Sequence, residues 1–167
     1  SNQHIVRVDE DVVSDPLKYE QILLSDVDAV VISDYDKGFV TYELVEKIIQ
    51  NYNGPVFIDT KKRDLSRFQG AVVKINGSEY HEARSFCTKM IVTLGDSGAK
   101  FFSGSQVIHY PSTKVDVVDV CGAGDTFLAS LVYKFLDNYD IGEAIQFANR
   151  AASVTVQHVG VYSPSLD

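Results

Sequence analysis

Residues 116–126 read DVVDVCGAGDT, an apolar segment followed by a glycine turn and a carboxylate. β-Branched residues favour a strand before the turn, at Val115, Val117, Val118 and Val120. After the turn, apolar residues recur at helical spacing, at Phe127, Leu128, Leu131, Val132, Phe135 and Leu136. The stretch therefore predicts a strand, a tight turn and a helix, which together form a building block of α/β folds.

The glycine turn is a candidate anion site. Gly122, Ala123 and Gly124 lie at the start of the predicted helix, where backbone N–H groups have no acceptor one turn earlier. These amides and the positive end of the helix dipole favour an anion such as phosphate. Asp125 stands beside them as a possible base. A simpler interpretation, a glycine-rich turn with an ordinary first-turn acid, stays open from the residues alone.

Two common phosphate-binding loops do not match this turn. The pattern GxGxxG would need glycine at Phe127, and a Walker loop needs a Gly-Lys-Ser/Thr ending that is absent. Neither of these loops therefore explains the glycine turn.

Helices and strands alternate along the rest of the chain. We expect helices over residues 15–25, with Asp15 and Pro16 at the start, after Thr41 as a cap, over residues 78–86, and after Asp140 and Glu143. Strands are predicted over residues 29–32, 56–59, 71–75 and 90–94, followed by a hairpin of residues 100–102 and 107–110 with Gly104 in its turn.

The apolar strands AVVI (residues 29–32) and MIVTL (residues 90–94) are continuous rather than alternating. Such strands indicate a mostly parallel sheet with helices on both faces, so we predict a three-layer αβα fold. Ligands of such sheets bind at the carboxyl ends of the strands. Polar residues follow five predicted strands, within residues 33–38, 59–64, 76–79, 93–98 and 119–125.

Composition excludes several classes of protein. The 167 residues suit one α/β domain, and the net charge of −8 argues against a nucleic-acid partner. No run approaches the ~18 apolar residues of a membrane span, and no secretory pattern is present. Cys87 and Cys121, in no metal-ligand spacing, fit a reducing cytoplasm. The histidines, at positions 4, 81, 109 and 158, share no metal-binding spacing either.

The segment DVCGAGD resembles the DTxGAGD signature of the ribokinase-like (PfkB) carbohydrate kinases. The resemblance implies a ribokinase-like fold and ATP-dependent phosphorylation of a sugar hydroxyl. It further implies that the amides of Gly122, Ala123 and Gly124 hold the transferred phosphoryl group, while Asp125 accepts the hydroxyl proton.

Two further segments resemble one branch of that family, the heptose 7-phosphate kinase domain of ADP-heptose synthases. SDYDKG (residues 33–38) is similar to SDYxKG, and DTKKRDLSRF (residues 59–68) to DPKxxDxxxY, with Thr60 for Pro and Phe68 for Tyr. VRVD (residues 6–9) is similar to an RxD stretch of the branch. The resemblance implies a sugar-phosphate substrate and a substrate-side rim, formed by Asp34, Lys37, Asp59 and Lys61. The simpler interpretation is two solvated surface turns.

Three segments resemble the nucleotide side of these kinases. KINGSE (residues 74–79) is similar to KxNxxE, which implies that Asn76, Gly77, Ser78 and Glu79 lie near the ATP phosphates and that Glu79 meets Mg²⁺ through water. VTLGDSG (residues 92–98) is similar to VTxGxxG, which implies a nucleotide contact for Thr93, Gly95 and Gly98. FANRAASVTVQHVG (residues 147–160) resembles the C-terminal helix, which implies that Asn149 and Ser153 lie near adenine. A helix cap, a hairpin turn and close helix packing are the simpler interpretations.

The resemblance covers nearly all of residues 1–167 but corresponds only to the C-terminal portion of a PfkB kinase. We therefore expect a single nucleotide-binding portion that is truncated at the N-terminus. A non-catalytic nucleotide-binding remnant or partner subunit stays open, as does another sugar kinase of the fructokinase or ribokinase type. A homo-oligomer, or pairing with a missing N-terminal half, is equally compatible.

Overall fold

The structure is a computed structural model that describes residues 13–165. The predicted VRVD resemblance at residues 6–9 and the histidine at position 4 lie outside the described residues.

A single six-stranded sheet organises the described residues. Its strands follow chain order, β1 to β6: Val30–Asp34, Val56–Thr60, Val72–Asn76, Lys89–Thr93, Ala99–Ser103 and Gln106–Tyr110. β1 to β4 pair in parallel, and β5 and β6 continue the sheet as an antiparallel hairpin. The predicted, mostly parallel sheet and its hairpin are therefore confirmed.

Helices cover both faces of this sheet. The four are α1 to α4: Tyr42–Asn51, Gly77–Glu82, Ala123–Asn138 and Ile141–Thr155. α1, α2 and the 3₁₀ segment Leu65–Phe68 pack against one face, and α3 and α4 pack against the other. The predicted three-layer architecture is confirmed.

β2 shows how one strand serves both layers. Val56 and Ile58 point into the core beneath α1, whereas Phe57 between them points to α3 and meets Phe135 edge to face, with ring centroids 5.3 Å apart. All three side chains are buried, which explains why the strand reads as a continuous apolar run.

Predicted helix starts agree with the structure in two cases. The Thr41 hydroxyl accepts a hydrogen bond from the Leu44 amide at 3.1 Å, and the Asp140 carboxylate accepts one from the Glu143 amide at 2.9 Å. Each bond satisfies an amide that has no partner within its helix. α2 is shorter than predicted and ends at Glu82.

The predicted helix over residues 15–25 is wrong. Only Tyr19–Gln21 forms a 3₁₀ turn, and the Leu17 amide instead bonds to the carbonyl of Phe39 at 2.9 Å. The apolar side chains of this segment, Leu17, Tyr19, Ile22 and Leu24, pack onto the core beside α1. An irregular segment thus buries them without a helical stripe.

The predicted strand before the glycine turn is also wrong. Residues 111–120 form no strand, and the amides of Val118 and Asp119 both bond to the carbonyl of Val156 at the end of α4. A strand needs a neighbouring strand to satisfy its backbone, and here the end of a helix is the neighbour. The valines of the segment are left with exposed side chains at Val117, Val118 and Val120.

Within residues 13–165, none of the helices has the length and apolar character to cross a membrane. Cys87 is buried and Cys121 is exposed, and neither forms a disulfide. Burial raises the pKa of the Cys87 thiol to about 11.

Candidate active site

The parallel strands bring their polar carboxyl ends to one edge of the sheet. The register pairs Ser33 with Asp59, Asp59 with Lys74, and Asn76 with Thr93. These residues are far apart in sequence, and the shared direction of the strands is what makes them neighbours.

The glycine turn faces this edge. Gly122 has φ 75° and directly precedes α3, a left-handed conformation that favours glycine. Asp119 holds the turn: one carboxylate oxygen accepts from the Cys121 amide at 3.0 Å and the other from the Gly160 amide at 2.9 Å. The first bond along α3 runs from the Thr126 amide to the Gly122 carbonyl at 2.9 Å. The Ala123 amide bonds to the Val120 carbonyl at 3.3 Å, whereas the amides of Gly124 and Asp125 have no carbonyl within the helix to bond and can bind an anion.

Asp125 lies in the first turn of α3 with its side chain exposed. It lines a cleft of about 180 Å³, here called the polar cleft. Most of the lining groups carry charge or hydrogen-bonding atoms: Ser33, Asp34, Tyr35, Asp59, Lys61, Lys74, Asn76, Glu79 and Asp125, with Gly122 and Gly124.

Lys74 and Asp59 form an ion pair inside the polar cleft. The Lys74 ammonium lies 2.6 Å from an Asp59 carboxylate oxygen, and the Lys74 side chain is only 6% exposed. Burial raises the pKa of Asp59 above its ordinary value, although the positive charge of Lys74 acts in the opposite direction.

Glu79, in the first turn of α2, forms a capping box with Asn76. The Asn76 side chain accepts from the Glu79 amide at 2.9 Å, and one Glu79 oxygen accepts from the Asn76 amide at 2.8 Å. The other Glu79 oxygen accepts from Lys61 at 2.5 Å, and this bond raises the pKa of Lys61. The helix-cap interpretation of these residues is therefore correct as local structure.

Glu79 is the residue predicted to meet magnesium through water. Both carboxylate oxygens already accept hydrogen bonds, and each keeps further acceptor capacity. Among residues 13–165, no group of three His, Cys, Asp or Glu side chains is arranged to coordinate a metal directly. Glu79, Asn76 and Asp59 are oxygen-bearing side chains that line the polar cleft.

The predicted substrate-side rim is only partly assembled. Asp34, Asp59 and Lys61 line the polar cleft, while Lys37 lies in a neighbouring groove that shares Ser33, Asp34 and Tyr35 with it.

Asp34 is buried, and its carboxylate already has protein partners. It accepts from the Thr60 hydroxyl at 2.8 Å and from the Asp36 amide at 2.9 Å, and Lys62 lies 3.4 Å away. Asp34 therefore fixes the ends of β1 and β2 and has little capacity left for a ligand.

A second cleft, of about 200 Å³, lies on the other side of the glycine turn and is here called the apolar cleft. Its walls are mostly small or apolar: Val115, Val117, Val120, Ala123, Phe127, Ala152 and Val156. The predicted nucleotide residues line the same space: Thr93, Gly95, Gly98, Asn149 and Ser153. A flat aromatic base suits such walls.

Asn149 and Ser153 shape the apolar cleft through hydrogen bonds to its wall. The Asn149 amide donates to the Tyr110 carbonyl at 3.0 Å, and the hydroxyls of Ser153 and Ser112 lie 2.8 Å apart. Gly98 has φ 87°, and a side chain there would collide with the Tyr110 carbonyl. These contacts hold the end of β6 against α4.

An open groove of about 770 Å³ connects the two clefts. Gly77, Ser78 and Asn76 line it at the start of α2, together with Lys74 and Gly124. Gly124 lines all three spaces. The arrangement can therefore accept an elongated ligand with an apolar end, an anionic middle and a reacting end near Asp125.

The sequence did not predict that Lys74 belongs to the candidate site. A Cβ placed on Gly124 would lie 3.0 Å from the Lys74 ammonium, so Lys74 borders the glycine turn. The available signal was a charge inside the apolar strand VVKIN.

The sequence profile of the pfkB family carbohydrate kinases matches residues 74–167, which is more than half of the chain. The chain belongs to the pfkB family of carbohydrate kinases. The match includes the glycine turn, Asp125, α3 and α4, and it begins at Lys74.

Two curated relatives are similar to the chain over nearly its whole length. The bifunctional protein HldE of Nitratiruptor sp. is 35% identical over the whole chain, which spans 42% of that protein's length. The bifunctional protein HldE of Campylobacter jejuni is 31% identical, with 99% of the chain and 42% of that protein aligned. The predicted likeness to this pfkB branch is confirmed.

Solved structures confirm the ribokinase-like fold. A ribokinase from Thermotoga maritima superposes with a TM-score of 0.71 at 21% identity, over 86% of this chain and 56% of that one.

Proposed function

We propose that the chain carries the nucleotide-binding and phosphoryl-transfer portion of a sugar kinase, with residues 1–167 forming the C-terminal part of one kinase domain. The observation that carries the proposal is the meeting of the apolar cleft, the open groove and the polar cleft at Gly124, beside Asp125. The family to which the chain belongs supports the same chemistry.

In this proposal ATP lies across the three spaces. Its adenine occupies the apolar cleft between Gly95 and Asn149, and its phosphates follow the open groove past Asn76 to the glycine turn. Magnesium, arriving with the nucleotide, would neutralise phosphate charge and meet Glu79 through water.

The proposed transfer joins the sugar to the terminal phosphate. A sugar hydroxyl oxygen bonds to the γ-phosphorus while the bond from that phosphorus to the β–γ bridging oxygen breaks, and ADP leaves with the electron pair. The hydroxyl proton passes to Asp125. The Gly124 amide, in the first turn of α3, stabilises the charge on the phosphoryl oxygens, and the Ala123 amide contributes when the ligand replaces its bond to the Val120 carbonyl. Positioning and charge stabilisation supply most of the rate in such reactions.

We propose a sugar phosphate as the acceptor, with D-glycero-D-manno-heptose 7-phosphate, phosphorylated at its 1-hydroxyl, as the first candidate. The HldE relatives support this choice. Lys61 pairs with Glu79, but its side chain is 51% exposed, so its ammonium can also contact a substrate phosphate at the polar cleft. In this proposal the protein works in the cytoplasm in ADP-heptose synthesis.

A second candidate is a nucleotide-binding subunit without activity of its own. The observation that favours it is an open sheet edge: among the described residues β1 pairs only with β2, and the Val31 side chain of β1 is 49% exposed. Pairing with a separate N-terminal half, or with a second copy, would then complete the site.

Two measurements separate these candidates. Calorimetry with ATP and magnesium tests binding, and a coupled ADP-release assay on heptose 7-phosphate, with fructose and ribose as matched acceptors, tests transfer. A kinase of the proposed branch releases ADP with heptose 7-phosphate and much less with either free sugar. Binding without release on any acceptor supports the second candidate, and failure to bind ATP contradicts both.

A further inference from the structure

Lys62 is a buried lysine that lines none of the three spaces of the candidate site. It follows the end of β2, and its side chain is 6% exposed, whereas those of its neighbours Lys61 and Arg63 are more than half exposed. Burying an ammonium group is costly unless it is paired. The buried charge therefore calls for an explanation.

Two carboxylates bind the Lys62 ammonium. An Asp36 oxygen lies 2.5 Å from it, and an Asp34 oxygen lies 3.4 Å from it. The same Asp34 oxygen accepts a hydrogen bond from the Thr60 hydroxyl at 2.8 Å, and that hydroxyl accepts one from the Lys62 amide at 3.0 Å. The ammonium also lies 5.2 Å from the centroid of the Tyr42 ring. Lys62 thus ties the chain after β1 to the end of β2.

The tie acts on a strained point of the loop at residues 35–38, which follows β1. Asp36 has φ 56°, in the left-handed region that most side chains disfavour. Its amide donates to the Asp34 carboxylate at 2.9 Å, and its own carboxylate binds Lys62. Both the backbone and the side chain of Asp36 are therefore fixed from the buried side of the loop.

Tyr35 is the neighbour that this arrangement holds in place. Its side chain is 58% exposed and borders both the polar cleft and the neighbouring groove of Lys37. Among the described residues that line the polar cleft, it supplies the only aromatic surface, and Asp125 lines the same cleft. A sugar has apolar C–H faces as well as hydroxyls, so an aromatic ring with a phenol hydroxyl suits both.

We infer that Lys62 is a positioning residue for the acceptor: it holds residues 35–38 so that the Tyr35 ring packs against the sugar in the polar cleft. The inference rests on the proposed function for the identity of the acceptor. Lys62 touches no ligand itself, because its ammonium is bound by Asp34 and Asp36. Tyr35 makes the contact, and the buried ion pairs keep its ring in position.

A double-mutant cycle on acceptor binding tests this inference. Calorimetry with heptose 7-phosphate measures the affinity of Lys62→Met, of Tyr35→Ala and of the double variant. We expect each single variant to bind the acceptor about 3- to 10-fold more weakly, the range for a lost aromatic contact, with ATP affinity changed by less than about twofold. The double variant should bind at most about twofold more weakly than Tyr35→Ala, because Lys62 acts through the ring.

Three results would overturn the inference. They are a full additional loss in the double variant, an unchanged acceptor affinity in either single variant, and a parallel loss of ATP affinity. Tyr133→Ala is the matched control for Tyr35→Ala, since Tyr133 is 56% exposed on α3, outside all three spaces, and its removal should leave acceptor affinity unchanged.

Asp36→Gly is a second way to remove the tie. Lys62→Met leaves the buried Asp34 without its cation and can destabilise the chain, whereas Asp36→Gly keeps Lys62 paired with Asp34. Glycine also adopts a positive φ without strain. The variant should therefore fold normally and still bind the acceptor about 3- to 10-fold more weakly.

Amide hydrogen exchange measures the hold on the loop without any ligand. In Lys62→Met the exchange of residues 35–38 should rise about tenfold or more, the range for a lost charged hydrogen bond, while that of α2 stays unchanged. Unchanged exchange in residues 35–38 would overturn the inference. A chain that shows the faster exchange, yet binds no sugar phosphate before substitution, would contradict the proposed function and leave the role of Lys62 in holding the loop intact.

Discussion

At the scale of single residues, Gly124 decides how closely a ligand can approach α3. It lines all three spaces of the candidate site, and the nearest atom to a Cβ built on it is the Lys74 ammonium. Its backbone is helical, so the chain conformation there does not require glycine. Free space for the ligand and for Lys74 is the remaining reason for a glycine.

We therefore predict that Gly124→Ala separates stability from activity. Alanine is better than glycine in a helix by up to about 1 kcal/mol, so denaturant unfolding should show an unchanged or slightly higher free energy of unfolding. The new methyl group should displace Lys74 and obstruct the phosphoryl group, lowering kcat in the ADP-release assay by about tenfold or more. A variant that is as active as the original chain would show that this space is not used.

Residues adjacent in sequence were predictable as a group, and residues joined only by the fold were not. The glycine turn and Asp125 share one short segment, so helix geometry predicts their proximity. Lys74 reaches the same turn from β3, some fifty residues earlier, through the sheet register and the packing of α3. No periodicity in the sequence encodes that contact.

At the scale of elements, strand prediction failed where no partner strand exists. Residues 115–120 have strand-forming side chains, yet their backbone bonds to the end of α4, and Val115, Val117 and Val120 line the apolar cleft. β-Propensity describes how well a side chain fits a half-buried surface, and here that surface is a cleft rather than a sheet. The predicted strands of the parallel sheet were correct because their neighbours cover both faces.

Asn76, at the start of α2, can be interpreted as a helix cap alone or as a phosphate contact as well. The variant Asn76→Asp distinguishes the two interpretations. Aspartate caps a helix as well as asparagine does, so the free energy of unfolding should change by less than about 0.5 kcal/mol. A negative charge beside the open groove should weaken ATP binding roughly tenfold, which calorimetry measures.

Asn53→Asp is the matched control for this variant. It adds the same charge at an exposed residue between α1 and β2, outside all three spaces of the candidate site, and should leave ATP affinity unchanged. Equal ATP affinity in both variants would mean that Asn76 is a helix cap alone.

At the scale of the whole molecule, the sheet joins two cores that support different parts of the site. One core, beneath α1 and α2, fixes the strand ends, and the other positions α3 and its glycine turn. Phe57 on β2 belongs to the second core and is fully buried. The sequence predicted the layers but not the strand order, because periodicity identifies strands without identifying their neighbours.

Phe57→Ala should therefore weaken the packing between the sheet and α3. The expected loss in the free energy of unfolding is about 3–5 kcal/mol, the range for a buried phenylalanine, measured by denaturant unfolding. Phe39→Ala, at a residue that is 47% exposed, should cost less than about 1 kcal/mol. A loss of similar size in both variants would contradict the described packing of β2 against α3.

In the proposed reaction Asp125 accepts the proton of the sugar hydroxyl, and the turnover of Asp125→Asn tests this role. The variant keeps the shape of the side chain, so ATP affinity should stay within about threefold, while kcat in the ADP-release assay should fall by about 10²- to 10⁴-fold, the range for loss of a general base. Asp137→Asn, an exposed acid in the last turns of α3, should keep full turnover. Unchanged kcat in Asp125→Asn, measured in a form of the protein that is active before substitution, would contradict the claim.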